Sequence, residues 1–439
     1  MSLATSDKIL KFQKKLSEKA KSDPKFRFYQ LYDKVYREDV LEHAWKVAKS
    51  NGGAPGVDGK SFSDIETEGL EKWLEALREE LHDKTYKVDP VRRVMIPKSG
   101  GGERPLGIPT IRDRVAQTAV KLVIEPIFEV DFEDSVYGYR PGRSALDAVK
   151  QTHESMKGGY TEVVDADLSK YFDNIPHDRL MEAVRKRITD VHLLRLIEMW
   201  LKAPVEETDE RGNRRLTGGK KSRAGTPQGG VISPLLANIY MNLYLRLWRR
   251  KNKGEMFDAR IINYADDFVI LSRGKAGEAL EWTKRVLKRM GLTLNEEKTR
   301  IVNARKETFD FLGYTFGPQY YAKTGKRFLT AQPSRKSVLR LKERVRKILV
   351  PSNQKPLSEV IKSLNRTLDG WKNYFSYGNT YQSYRAINNN VSERMRFFVN
   401  RRCKKSTLDL KGLSQRVFVE MGVTRMKKDK SRAALVNLS

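Results

Sequence analysis

The sequence predicts an α/β (α+β) chain with a helical bundle towards its C-terminal end, and three observations carry that reading. Between residues 60 and 325, short apolar runs alternate with amphipathic stretches and Gly-rich turns, the texture of strands interleaved with helices. Residues 330–405 place their apolar side chains at helical spacing throughout. A hydrophobic fraction of 39% over 439 residues supplies a large core, enough for roughly two to four domains.

The elements follow in order. The first 50 residues read as helices rich in Lys and aromatic residues, such as Phe26-Arg27-Phe28-Tyr29-Gln30-Leu31-Tyr32. Asn51–Gly59 holds four glycines in nine residues and reads as a flexible loop. Met95–Pro109 reads as two strands around a Gly-rich turn, with Lys98 and Arg104 near its ends. A Lys point charge and an Arg fork on such a hairpin suit a triphosphate, whereas solvated charges beside a turn are the ordinary alternative in a basic chain. Arg223–Leu235 is a Gly/Pro turn opening onto a helix that runs to about Trp248. Gly229 lets the backbone approach a base or ribose, and Gln228 both donates and accepts hydrogen bonds.

Two acidic elements carry the chemistry. Arg260–Leu271 reads as a hairpin whose tip is Tyr264-Ala265-Asp266-Asp267. Adjacent carboxylates held in a sheet repel, and a cation relieves the repulsion. Paired oxygen ligands on a rigid tip suit Mg²⁺ chemistry on phosphates; a plain Asp-Asp turn is the competing reading. In Thr161–Asp173, strand period puts Asp165 and Asp167 on one face and Val164, Ala166 and Leu168 on the other. That strand beside the hairpin would gather Asp167, Asp266 and Asp267 around two metals ~3.5–4 Å apart. Phe172, five positions after Asp167, would close the floor under a nucleotide sugar and reject the ribose 2′-OH, or else pack into the core. Lys298 follows a helix that Gly291 ends; it is a candidate proton donor to a leaving pyrophosphate or a plain surface lysine. Phe309–Tyr314 makes a further aromatic hairpin, placed to grip a primer end or merely to pack.

Composition points to the partner. The chain carries 85 Lys and Arg against 55 Asp and Glu, a formal net charge of +30. A field of that sign attracts phosphate backbones. No apolar run reaches the roughly 18–20 residues of a membrane span, and the N-terminus lacks a signal-peptide core, so no membrane partner and a cytosolic location are expected. A single cysteine, Cys403, excludes internal disulfides and multi-cysteine zinc sites.

In the helical region, Val338, Leu341, Val345 and Ile348 form one apolar face while Lys336, Arg340, Arg344 and Lys347 form a basic one. Leu357, Val360, Ile361, Leu364, Leu368, Trp371 and Phe375 stripe a second helix, and Tyr384, Ile387, Val391, Met395 and Phe398 a third. Residues 331–405 hold 18 Lys and Arg against 4 Asp and Glu, a balance suited to a surface along a nucleic-acid duplex.

The order of these elements resembles the reverse transcriptase family. Ala54-Pro55-Gly56-Val57-Asp58-Gly59, Arg104-Pro105-Leu106-Gly107-Ile108-Pro109, Tyr137-Gly138-Tyr139-Arg140-Pro141-Gly142-Arg143-Ser144 and Gln228–Asn238 are similar to motifs of its group II intron-encoded branch, the maturases, over about residues 30–400. The resemblance implies a right-hand polymerase: a template- or RNA-binding N-terminal extension over 1–60, fingers and palm over 61–325, a helical thumb over 326–405, and a basic tail over 406–439 that is a candidate reduced DNA-binding segment. It implies two Mg²⁺ held by Asp167, Asp266, Asp267 and the Leu168 carbonyl. It implies further that Phe172 gates sugars, Lys98 and Arg104 hold the triphosphate, Gln228 and Gly229 line the nucleotide pocket, and Lys298 lies in the family's Gly-plus-Lys motif. The implied partners are an RNA template, a DNA or RNA primer, dNTPs and structured intron RNA, bound by a monomer or dimer. With 34 residues beyond the bundle and no cysteine pairs, no endonuclease activity is expected. The competing readings are a splicing cofactor with a dormant site, a relative domesticated for repair or phage defence, and, less favoured by Phe172, an RNA-dependent RNA polymerase.

Overall fold

A computed structural model describes residues 5–97, 102–209, 212–320, 324–403 and 415–427. Four helices open the chain: α1 (Asp7–Ser22), α2 (Tyr32–Val35), α3 (Glu38–Asn51) and α4 (Phe62–His82). The hairpin β1 (Val91–Pro97) and β2 (Glu103–Ile108) leads to α5 (Ile111–Glu129) and α6 (Ala145–Lys157). Then come β3 (Glu162–Asp167), α7 (Tyr171–Asn174), α8 (His177–Arg185), α9 (Val191–Leu201), β4 (Pro204–Thr208) and β5 (Arg214–Gly218). The long helix α10 (Ser233–Arg250) and short α11 (Lys253–Met256) precede β6 (Ala259–Tyr264), β7 (Asp267–Ser272), α12 (Ala276–Arg289) and β8 (Arg300–Asn303). The remainder is β9 (Phe309–Phe311), β10 (Tyr314–Tyr320), β11 (Arg327–Pro333), α13 (Arg335–Ile348), α14 (Leu357–Tyr374), α15 (Tyr381–Cys403) and α16 (Gln415–Glu420).

Three sheets organise these elements. The central one runs β6-β7-β3-β8, all antiparallel, and is the palm. The fingers sheet runs β2-β1-β4-β5, in which β1 and β4 are parallel. The third, β11-β10-β9, leads into the thumb. The strand β11 shows that helix begins only at Arg335, slightly later than the spacing from residue 330 suggests.

One apolar core runs from the N-terminal helices through α5, α8 and α9 to α10, with Leu31, Trp45, Val120, Val184 and Tyr240 all buried in it. Residues 5–60, expected as an N-terminal extension, therefore share one apolar core with α5, α8, α9 and α10. Arg187 ties them there, donating from Nη2 to the Ala20 carbonyl (2.7 Å) and from Nη1 to those of Asp23 (3.1 Å) and Phe26 (3.2 Å). The Gly-rich loop at 51–59, expected to be flexible, is held by Arg114, whose guanidinium donates to the carbonyls of Gly52 and Ala54. A buried Arg can reach across a chain that offers carbonyls, and four glycines do not prevent that.

The thumb is the expected three-helix bundle. Leu341, Val345, Val360, Leu364, Leu368, Ile387, Met395 and Phe398 form its core. Lys336, Arg340, Arg344 and Lys347 are exposed on α13. The tail behaves otherwise than a polar appendage over its described part. Phe418, Val423 and Met426 are buried in the bundle core. Asn365 donates to the Gly422 carbonyl (2.7 Å) and accepts from the Thr424 N–H (2.8 Å). The apolar stretch Val417-Phe418-Val419, visible in the otherwise basic sequence, supplies the anchor through Phe418. Among the described residues no helix is long and apolar enough to cross a membrane.

Candidate active site

The acidic tip is a two-residue turn. Tyr264 pairs with Asp267 across β6 and β7, which leaves Ala265 and Asp266 between them. Ala265 sits at φ +58°, a left-handed conformation that costs about 1–3 kcal/mol for a residue with a Cβ and persists only where its surroundings impose it. Asn263, fully buried, donates from Nδ2 to the Ala265 carbonyl at 2.9 Å. Its backbone is laced to the preceding segment by Asn263 N–H to Ser135 O (2.8 Å) and Tyr137 N–H to Asn263 O (2.9 Å). Gly138 then lies flat against the turn: a Cβ there would stand 2.6 Å from the Ala265 nitrogen. Asn238 on α10 holds the Gly138 carbonyl at 2.7 Å. Gly138→Ala is accordingly expected to displace the tip and cut polymerisation by roughly tenfold or more with a modest loss of stability, since a 1 Å misplacement is enough to do so. Steady-state primer extension beside a melting curve checks it.

β3 lies beside β7 with Asp167 directly opposite Asp267. Register partners in an antiparallel ladder have Cα atoms about 4.5–5.5 Å apart. Chain segments a hundred residues apart thus bring Asp167, Asp266 and Asp267 to one end of the palm sheet. Burial, then the charges of Asp266, Asp167 and Asp165, push the Asp267 carboxyl up to about 7. Asp267 is itself exposed at the end of the sheet, so water screens part of that cost. The Asp266 carboxyl is raised as well, by burial foremost. Lys298 answers this charge: its Nζ lies 3.1 Å from Asp167 Oδ2. The loop that carries it is set by Asn295, whose N–H donates to the Asp167 carbonyl at 2.8 Å. Asp165 is turned instead to Arg300 on β8, Oδ2 to Nε 3.5 Å. Leu168 is buried and bridges to Leu294.

The donors fit a hard divalent cation in kind: they are all oxygen, they repel one another, and the charges of Lys298 and Arg104 offset them in part. As they stand, no three carboxylate, imidazole or thiolate side chains among the described residues converge closely enough to enclose an ion. The Lys298 ammonium takes one oxygen of Asp167.

The fingers meet the Gly-rich turn at its crown. Gly107 on β2 donates its N–H to the Gln228 carbonyl at 2.5 Å. Arg104 Nε donates to Gln228 Oε1 (2.7 Å), and Gln228 Nε2 donates to Asp173 Oδ1 (3.1 Å). A polar chain therefore links the hairpin, the turn and the segment after β3. Gly229 is pressed against the hairpin backbone. Lys98 lies outside the described residues. Phe172 is buried with 6% of its surface accessible, stands edge-on to Tyr171 with ring centroids 5.6 Å apart, and accepts the Thr226 N–H on its carbonyl at 2.7 Å. Core packing accounts for most of this ring.

Sequence reasoning passed over Asn263, Gly138 and Asn238. The signal for Asn263 was present: a polar residue interrupts the run Ile261-Ile262 at a position facing inward. Arg140, in the same motif as Gly138, is nearly buried and bidentate to Glu129, with Nη2 to Oε1 at 2.7 Å, so this motif braces the tip from behind.

A palm sheet with a paired acidic end, a fingers hairpin over a Gly-rich turn and a helical bundle beyond define a right-hand polymerase. Residues 96–316 match the family described as reverse transcriptase (RNA-dependent DNA polymerase), and residues 338–418 match the group II intron maturase-specific domain. The chain belongs to the reverse transcriptase family and carries that maturase domain. It is similar to protein YkfC of Escherichia coli K12, at 36% identity over 343 residues, covering 70% of this chain and 87% of the relative. It is similar to group II intron-encoded protein LtrA of Lactococcus lactis, at 31% identity over 65% of this chain and 56% of the relative. A putative COX1/OXI3 intron 1 protein of Saccharomyces cerevisiae is 29% identical over 63% of this chain and 38% of its own length. The chain thus spans about half or less of these two longer relatives.

Proposed function

We propose that the protein copies RNA into DNA, adding dNTPs to a DNA or RNA primer, and that it binds structured intron RNA and assists its splicing. The observation that carries the first part is the register that sets Asp167 opposite Asp267 at the Asp266 turn. Asp167, Asp266, Asp267 and the Leu168 carbonyl would hold two Mg²⁺. The chemistry these ions supply when bound is activation of the primer 3′-OH and neutralisation of charge on the departing pyrophosphate. The protein's own groups position the rest. Arg104, with Lys98, grips the triphosphate, Gln228 and Gly229 shape the nucleotide pocket, and Phe172 closes it beneath the sugar. Lys298, now 3.1 Å from Asp167 Oδ2, would give up that carboxylate to a bound cation, and its ammonium would be the proton donor to the leaving pyrophosphate. Extension of a DNA primer on an RNA template, with and without Mg²⁺, tests the reading; no extension with Mg²⁺ present overturns it.

Two further outcomes are expected. Phe172→Val should raise incorporation of ribonucleotides relative to deoxyribonucleotides by about tenfold or more, read by single-nucleotide insertion kinetics. A parent enzyme that already uses both sugars freely excludes the gate. Replacing Arg340 and Arg344 together by Ala should weaken template–primer binding across sequences and lower the slope of log affinity against log salt by about 1–2. An unchanged slope removes α13 from the duplex path. For splicing, the maturase domain supports the reading; intron RNA bound equally by the Asp266→Ala variant, with cDNA synthesis lost, separates the two activities.

A further inference from the structure

Beside the N-terminal end of α15 a pocket of about 1030 Å³ opens on the bundle. It lies between the end of the β10–β11 ribbon, the first turns of α15 and the returning segment at 425–427. Tyr320 and Tyr381 border it with 65% and 71% of their surfaces exposed. Arg385, Arg425 and Lys427 line it, and among the described residues no Asp or Glu does. Asn389 and Gln382 add amides that donate and accept.

The walls are fixed. Asn388 and Met426 bond reciprocally, Nδ2 to carbonyl and N–H to Oδ1, both at 3.0 Å. That pair sets Arg425 and Lys427 on the rim. Asn379 Nδ2 donates to Gln319 Oε1 at 2.6 Å, which ties the α15 entry to β10 beside Tyr320. Rings that are rigidly based yet open to water, three cations without an acid among the described lining residues, and amides between them make an unusual combination. A duplex presents its phosphates outward and hides its base faces, so it has no use for open rings in a concave site. An unpaired strand offers base faces to stack, phosphates for the cations, and 2′-hydroxyls for the amides.

We propose that this pocket takes unpaired nucleotides of an RNA strand, stacked on Tyr381 and Tyr320, separately from the cleft that holds the template and primer. The proposal rests on the reading that the protein binds RNA. The site recognises a looped or single-stranded segment of a bound RNA and anchors it to the thumb while the palm remains free.

The test loads the full-length protein with a saturating RNA–DNA template–primer duplex, then titrates a fluorescein-labelled 12-nucleotide single-stranded RNA. The expected result is binding by the loaded parent, weakened about 5- to 100-fold by Tyr381→Ala and kept by Tyr381→Phe. Arg385→Ala should lower the salt slope by about one. Primer extension on a short template should be unchanged in all three variants. Equal binding by parent and Tyr381→Ala overturns the pocket. So does binding that only a double-stranded RNA competes away, while the same strand as DNA binding equally well overturns the assignment to RNA. If the parent fails to extend primers, the polymerase reading fails while the RNA titration still judges the pocket.

Discussion

Asp267→Asn should lower primer extension by about 10³-fold or more, equivalent to ~4 kcal/mol of transition-state stabilisation, while leaving the fold intact. The side chain caps one end of a paired strand, and Asn keeps its volume. The same substitution has a second signature that a merely structural residue lacks. Burial and the neighbouring acids hold the Asp267 pKa at about 7. The folded value lies above the ordinary carboxylate value of about 4, so folding disfavours the ionised form. This group therefore takes nothing from stability below pH ~4, and takes progressively more as pH rises towards and through 7. In metal-free buffer the parent should lose melting temperature between pH 5 and pH 8 relative to Asp267→Asn, and Mg²⁺ should restore the parent at pH 8 more than at pH 6, because protons compete for the same oxygens. Melting curves at several pH values, with and without Mg²⁺, check this. Identical pH profiles for the two proteins would remove the charge cluster from the argument, and parental extension by the Asn variant would remove Asp267 from catalysis.

Gly229→Ala should be the most damaging change outside the acids. Gly229 has φ +112°, where L side chains are strained, and a Cβ there would stand 2.1 Å from the Gly107 carbonyl oxygen. Backbone meets backbone, so no rotamer relieves the clash. The turn must move off β2, breaking the Gly107–Gln228 bond and carrying Gln228 away from Arg104. A loss of about 2–4 kcal/mol in stability is expected, together with a rise in KM for dNTPs exceeding the fall in kcat. Denaturant midpoints and nucleotide titrations measure the two effects. Parental KM in a folded variant would show that the fingers hairpin does not set the nucleotide pocket.

Much of this was legible from the chain. The acid-tipped hairpin, the strand bearing Asp167, the turn into α10 and the three thumb helices are local patterns, where period and punctuation speak directly. The register of β3 against β7 is a different matter. Alternation says which face Asp167 occupies, and it does not say which residue of a strand a hundred positions away it will oppose. The brace behind the tip was hidden for the same reason: Gly138 and Asn238 gain meaning only from the distant backbone they touch. In the docked segment at 415–427 the apolar stretch was legible, and where Phe418 docks was not, because that depends on the distant bundle core it enters.

By itself the sequence determined the kind of chemistry: oxygen ligands in pairs, a strongly basic field, and an order of motifs that belongs to one family. Those are properties of residue type and spacing along the chain, which folding does not change. The tertiary structure decided which acids are neighbours, that Lys298 rests on Asp167, that Gly229 has no room for a methyl group, and that a basic, aromatic pocket opens on the thumb. These depend on contacts between segments far apart in the chain, and only packing and strand register fix such distances.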